Sequence, residues 1–218
     1  WEGDGIEIVD SNNNVLWDWD AFDHISTALF HPAAIQRDGF FHLGQDWTHG
    51  NAAVWDEKRS LIWVSLRNLS RIIAIDYPSG NIREVFGDGG LGGAALASFQ
   101  HAPEIQSDGQ ILFFDNGNTR TVQESRIVQF QWDEVNDTVA ESFVWKTAPS
   151  FFDRAVGDAD RLPNSNILVT SGTNARLIEI TTAGDVVWDM RFRGDRFWIY
   201  RAEHLQPSEF PSRFLPFP

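Results

Sequence analysis

Two kinds of β-hairpin alternate along this chain, and the alternation restricts the fold more than any other feature. The first kind is a strand, a turn with Gly, Asn or Asp, and a second strand that ends in an aromatic residue. It appears as I-E-I-V-D-S-N-N-N-V-L-W-D-W (Ile6 to Trp19), I-I-A-I-D-Y-P-S-G-N-I-R-E-V-F (Ile72 to Phe86), R-I-V-Q-F-Q-W-D-E-V-N-D-T-V-A-E-S-F-V-W (Arg126 to Trp145) and L-I-E-I-T-T-A-G-D-V-V-W (Leu177 to Trp188). The second kind fills the gaps: Asn51 to Ser65, His101 to Asp115 and Asp158 to Thr170. Successive copies of the first start 66, 54 and 51 residues apart. One period therefore holds two hairpins, a four-stranded antiparallel unit, and such units stacked radially form a β-propeller. A β-sandwich also uses short strands but gives no reason for two hairpin types to alternate. Helical signal is weak throughout, with no capped stretch of the helical period.

The expectation is an all-β protein, one β-propeller domain over residues 1–218. Three full blades and a leading half-blade can be counted, about four blades' worth of strands, near the low end of propeller size. F-W-I-Y-R-A-E-H-L (Phe197 to Leu205) reads as the opening strand of another blade. The ring is thus expected to be incomplete on its N-terminal side, completed by further polypeptide or by a homo-oligomer.

Composition narrows the partners. The 218 residues include 42% hydrophobic residues and ten Trp, enough for a real core. A formal net charge of −14, from 31 acidic and 17 basic residues, argues against nucleic acid or an anionic membrane surface. A small anion remains compatible, because a local His and Arg cluster can reverse the field in a cleft. With no cysteine there are no disulfides, thiolates or Cys-ligated zinc. Apolar runs such as Ile111 to Phe114 are too short for membrane insertion. The chain opens at Trp1 without Met, consistent with a removed signal peptide or a start inside a longer protein. No D-x-D-x-D-G calcium loop occurs, so neither metal nor cofactor is expected. Gly87 to Gly93 (G-D-G-G-L-G-G) follows a hairpin and lacks the Gly-Lys-Ser/Thr ending of a phosphate loop, and reads as a flexible connection that delivers His101.

Chemistry concentrates between Asp46 and Arg67, D-W-T-H-G-N-A-A-V-W-D-E-K-R-S-L-I-W-V-S-L-R. Strands at Ala52 to Trp55 and Leu61 to Val64, joined by the turn D-E-K-R-S, make a hairpin. Antiparallel pairing brings residues before the first strand near residues after the second, so His49 and Arg67 are expected at one end of a sheet. An imidazole, the Asn51 amide and a guanidinium converging there suit a sulfate or phosphate ester.

Taken together, D-W-T-H-G-N (Asp46 to Asn51), V-S-L-R (Val64 to Arg67), F-Q-H-A (Phe99 to Ala102), L-F-F-D-N-G (Leu112 to Gly117) and G-D-A-D-R-L-P-N-S-N (Gly157 to Asn166) resemble the arylsulfate sulfotransferase family. The motifs keep their order from about Ile6 to Ala202, nearly the whole chain. The resemblance implies a bacterial six-bladed propeller, periplasmic or secreted, that works without a nucleotide sulfate donor. It implies ping-pong transfer of a sulfuryl group from an aryl sulfate to a phenol through a sulfohistidine. The family's nucleophile matches His101, and its sulfuryl-binding residues match His49, Asn51 and Arg67. A further family histidine comes from an earlier blade; His24 in W-D-A-F-D-H is the residue here that could stand near it.

Each residue also has a plainer reading. A histidine that opens a strand is usually a hydrogen-bonded structural residue; the motif order favours function for His49 and His101. His31, before Pro32, reads as structural, His42 in F-F-H-L-G is at most a lid residue, and His204 could face the central channel. Arg67 could simply pair with Asp115. Asp115 could belong to an Asn-Gly hairpin turn, or serve as a base or as the orienting partner of a histidine. Asp158, Asp160 and Arg161 read as bridges between blades. The tryptophans mostly pack blades, Trp47 being the best placed to stack on an aryl group. Two other functions remain open: a non-catalytic propeller that binds a partner at its face, and a propeller hydrolase or lactonase with a channel metal held by His and carboxylates.

Overall fold

The computed structural model describes residues 1–29, 46–147, 149–193 and 197–205. Strands β1 (Gly5–Val9) and β2 (Val15–Asp20) form a two-stranded antiparallel sheet. Next, β3 (Gly50–Asp56), β4 (Leu61–Leu66), β5 (Arg71–Asp76) and β6 (Ile82–Gly87) pair in chain order, and the short β7 (Leu91–Gly92) lies parallel to β6. A second full sheet comprises β8 (His101–Ile105), β9 (Ile111–Asp115), β10 (Arg126–Asp133) and β11 (Thr138–Trp145). A third comprises β12 (Asp158–Arg161), β13 (Ile167–Ser171), β14 (Arg176–Ile180) and β15 (Val186–Arg191). These are the three full blades and leading half-blade of a propeller. The single helical turns α1 (Ala21–His24) and α2 (Gly93–Leu96) and a 3-10 turn over Arg67–Leu69 complete the described elements. No helix among the described residues is long and apolar enough to cross a membrane.

Three apolar layers separate the successive sheets. Trp19, Ile6 and Ile8 of the leading hairpin meet Ile62, Val64, Ile73 and Ile75. Leu61, Trp63, Ile72 and Phe86 meet Phe113, Val128, Phe130 and Trp132. Leu112, Phe114 and Ile127 meet Ala159, Val169 and Ile178. A middle strand is covered on both faces, which is why all six residues of L-I-W-V-S-L in β4 are buried and the run is nearly continuous in apolar residues. Trp63, Phe86 and Trp132 also meet edge to face or stacked, at centroid separations of 5.2 to 5.9 Å. Each such pair contributes about 0.5–1.5 kcal/mol beyond its buried area.

Polar groups join the blades as well. On β12, Arg161 reaches back to the second blade, donating from its backbone to Glu104 at 3.0 Å and from Nε to Gln106 at 3.2 Å. Between β1 and β3 an apolar recess of about 410 Å³ opens, lined by Ile6, Ile8, Ala53, Trp55 and Tyr77. It lies where the leading sheet has two strands and every other sheet has at least four.

Two expectations change. The glycine-rich segment is not a flexible connection: Asp88 donates to the Ser70 carbonyl, Gly90 to Gly87 and Gly93 to Gly90, β7 lies inside it and α2 starts at its last residue. Gly87 sits at φ +102° with the Ser70 carbonyl 2.3 Å from where a Cβ would stand, so glycine gives close backbone approach there rather than mobility. Phe197 to Leu205 is not a strand. It is tied down by Ile199 N–H to the Gly172 carbonyl at 3.0 Å. His31 and His42 lie outside the described residues.

Candidate functional site

The β3–β4 hairpin pairs Gly50 with Leu66 and Asp56 with Leu61. Beyond its last rung, Arg67 N–H donates to the His49 carbonyl at 3.1 Å and Asn68 N–H to the Thr48 carbonyl at 3.1 Å. His49 and Arg67 therefore stand side by side at one end of the blade. Asn51 falls at a bulge between Gly50 and Ala52, and β8 carries another irregularity between His101 and Glu104. An extra residue in a ladder re-aims the side chains around it.

Backbone strain gathers at the same place. His49, Phe99, Ala102 and Val156 all lie in the left-handed region, at φ between 48° and 57°. For Val156, a β-branched residue, that conformation is a genuine outlier. Strain of this kind costs on the order of 1–3 kcal/mol per residue and persists where surrounding contacts impose it, often at functional sites.

A narrow cleft of about 20 Å³ lies here, lined by Asn51, His101, Ala102, Val156, Gly157, Asp158, Tyr200 and Arg201. His101 is 6% exposed, and its Nδ1 lies 2.7 Å from Asn116 Oδ1. Its pKa is lowered to about 3, first by burial and then by the Arg67 charge, with His49 adding a smaller push. The imidazole is neutral at physiological pH. The residue before it is fixed as well: Gln100 donates to Ser65 Oγ at 3.0 Å and to the Arg71 carbonyl at 2.7 Å. The Gln100 carbonyl accepts from the Asn51 amide at 2.8 Å, which engages one of that amide's two N–H groups.

Arg67 is almost fully buried. Its guanidinium lies 4.6 Å above the Phe99 ring and donates to Asn68 Oδ1 at 2.7 Å and to the Arg154 carbonyl at 3.0 Å. His49 is partly exposed, and its Nδ1 bonds Asp46 Oδ2. The loop between β11 and β12 carries the Arg154 carbonyl and is anchored by Asp153, whose buried carboxylate accepts from Ser171 Oγ at 2.9 Å and Thr173 N–H at 3.1 Å. On the opposite wall Arg201 Nε donates to Asp158 Oδ2 at 2.9 Å. Beside them, burial and the neighbouring Asp158 and Glu104 carboxylates raise Asp160 to about 7.

Of the sequence-level candidates His101 and Asn51 line the cleft and His49 and Arg67 act on the His101 ring from beside it, whereas Asp115, Trp47 and His24 stand elsewhere. Asp115 is fully buried and faces elsewhere, its carboxylate held by Arg120, by Arg126 Nε at 2.7 Å and by Ser98 N–H at 2.8 Å. It neither pairs with Arg67 nor orients a histidine; its neighbour Asn116 meets His101. The segment after it is no tight hairpin, since β10 begins only at Arg126. Trp47 is fully buried, 5.1 Å from the Phe22 ring, so no aryl group can stack on it. His24 stacks on Trp19 at 5.0 Å, beside Gly80 in the β5–β6 turn. That turn lies at the end of the blade remote from Arg67, because Leu61 pairs with Asp76 and Leu66 with Arg71. His204 is exposed and within electrostatic reach of Glu179. Among the described residues no three His, Asp or Glu side chains converge in a way that could hold a metal ion.

Sequence reasoning missed Asn116, Tyr200 and Arg201.

The family model described as Arylsulfotransferase (ASST) matches residues 2–201. Among solved structures, a protein of unknown function from Bacteroides caccae matches with a TM-score of 0.53 and 14% identity, over 89% of this chain and 56% of that one. A catalytically inactive virginiamycin B lyase from Staphylococcus aureus, with quinupristin, matches with a TM-score of 0.46 and 17% identity, over 72% of this chain and 45% of that one. This chain thus spans about half the length of those structures. No curated protein matches it. At 14% identity the first likeness is one of fold, whereas the family match extends over nearly the whole sequence: the chain belongs to the arylsulfotransferase family.

Proposed function

We propose that this protein moves a sulfuryl group from an aryl sulfate to a phenol by a ping-pong route, with His101 as the nucleophile. One observation carries the reading: a buried imidazole, held neutral beside a buried guanidinium, opens onto a strained cleft. Neutrality matters because sulfate oxygens repel an anionic nucleophile, whereas an imidazole keeps a lone pair at neutral pH. The positive field of Arg67 that suppresses protonation of His101 also attracts a sulfate ester into place. Arg67, Asn51 and His49 hold the sulfuryl oxygens as charge redistributes, and positioned donors of this kind are worth roughly 3–4 kcal/mol each. His49, backed by Asp46, gives a proton to the departing phenolate and takes one from the incoming phenol. On the same reading the protein acts outside the cytoplasm.

The test is turnover of nitrophenyl sulfate with phenol as acceptor, compared between wild type and His101→Ala. Nitrophenolate release should depend on phenol and vanish in the variant. With donor alone, mass spectrometry should find about 80 Da, one sulfuryl group, on the peptide that carries His101. Full activity in His101→Ala sinks the reading.

A further inference from the structure

We infer that Asn116 is a positioning residue that fixes the proton of His101 on Nδ1 and so makes Nε2 the nitrogen that bonds to sulfur. The role of Nε2 rests on the proposed nucleophile; the tautomer itself does not.

Asn116 is fully buried, and its Nδ2 donates to the Asp153 carbonyl at 2.8 Å and to the Val156 carbonyl at 2.8 Å. Both N–H groups are committed, and a flipped amide would turn its oxygen toward two carbonyl oxygens. The side chain therefore has one orientation, with Oδ1 facing His101 Nδ1 at 2.7 Å. An amide oxygen only accepts, so the imidazole nitrogen opposite must donate. A neutral ring carries one proton; with that proton on Nδ1, the lone pair is on Nε2.

The assembly is rigid because its far side is rigid. Asp153 pins the β11–β12 loop through Ser171 and Thr173, and Ser125 Oγ donates to the Asn116 carbonyl at 2.9 Å. The same loop presents the Arg154 carbonyl to Arg67. One segment thus sets both the ring's tautomer and the neighbouring guanidinium, and the left-handed Val156 is the strained residue that aims its carbonyl at the amide.

The consequence for the reaction is specific. The Nε2 lone pair forms the N–S bond while the S–O bond to the aryl group breaks, its electron pair leaving on the aryl oxygen. Nδ1 keeps its proton, so the ring becomes cationic and the bond to Asn116 Oδ1 becomes charge-assisted. In the return step the phenol oxygen bonds to sulfur, the N–S pair returns to Nε2, and the phenol proton passes to His49.

The test uses the full chain labelled with 15N-histidine. Without substrate at neutral pH, His101 should show a protonated, pyrrole-type Nδ1 and a pyridine-type Nε2; the reverse pattern overturns the inference and needs no variant. Asn116→Ala should lose the single tautomer, and a retained Nδ1–H overturns the role of Asn116. Because that variant also strips two carbonyls of their donor, its histidine and backbone spectra outside the site must match those of the wild type, and the wild-type tautomer remains the test that needs no variant. With nitrophenyl sulfate, Asn116→Ala should lower kcat roughly 10- to 100-fold, the range of a lost orienting contact, with KM within about threefold. A sulfuryl group found on Nδ1 refutes the inference and leaves the proposed function standing. A wild type that never modifies His101 refutes the proposed function and leaves the tautomer to the spectra.

Discussion

Arg67 donates its backbone N–H to the carbonyl of His49 at 3.1 Å, although eighteen residues separate them in the chain. The bond continues the β3–β4 ladder past its last rung, so the relative position of the two residues is set by hairpin register. Register follows the alternation of β3 against β4, and a one-residue slip would turn every side chain to the wrong face.

The first prediction concerns the guanidinium. Arg67→Ala should lower kcat with an aryl sulfate by about two to three orders of magnitude, the usual loss for a charged donor at a developing oxyanion. The same change removes the second-largest force that depresses His101, so the pKa of that ring should rise from about 3. Arg67→Lys keeps the charge but cannot reproduce the bonds to both Asn68 Oδ1 and the Arg154 carbonyl, and should be intermediate. Steady-state kinetics and an NMR titration of His101 check both points; an unchanged kcat in Arg67→Ala removes Arg67 from the site.

What could be read from the sequence was local. The hairpins depend on period-two alternation and turn residues within some twenty positions, and they emerged with correct pairing. His49 and Arg67 were found together for the same reason. Asn116 was not, because its partners lie 15, 37 and 40 residues away, in a strand opening and an inter-blade loop that no local pattern links. Asp115 and Asn116 show the difficulty at its smallest scale. Adjacent residues on an extended backbone point to opposite sides, and the sequence does not say which of them faces the histidine. Trp47 misled in the same way, a motif residue two positions before His49 that is buried in the apolar layer.

Asp115 should prove a stability residue. Its buried carboxylate meets two arginines and a backbone N–H, and removing one partner of such a pair leaves uncompensated charge. Asp115→Ala should lose about 3–5 kcal/mol in urea unfolding. A stable variant defective only in turnover would return Asp115 to the chemistry.

Trp47 should affect packing alone. Its Nε1 is buried without a hydrogen-bond partner, so Trp47→Phe removes an unsatisfied donor as it removes volume. The cavity left by the smaller ring should cost on the order of 1–2 kcal/mol, partly offset by loss of the unsatisfied donor, and KM for nitrophenyl sulfate should not move. A several-fold rise in KM would mean that the ring reaches the substrate after all.

The last prediction sets two buried groups against each other in pH. His101 has a folded pKa of about 3, below the ordinary 6.5. Between those values the unfolded chain binds a proton that the native chain excludes. Stability should therefore fall as pH drops from 6.5, by up to about 1.4 kcal/mol per unit from this group. Asp160 runs the other way. Its folded pKa of about 7 exceeds the ordinary 3.8, so the native state holds a proton that the unfolded state releases. Its contribution is fully present below 3.8 and is lost as pH rises through 7. Screening at this partly exposed group reduces the effect, and Asp160→Asn should gain roughly 1–2 kcal/mol at pH 8. His101→Asn should remove the loss of stability on acidification below 6.5, and Asp160→Asn the loss of stability as pH rises from 3.8 through 7. Urea midpoints measured from pH 4 to 8 on wild type and both variants decide the matter. If His101→Asn leaves the acid slope unchanged, the native imidazole is not held neutral, and the electrostatic basis for His101 as nucleophile goes with it.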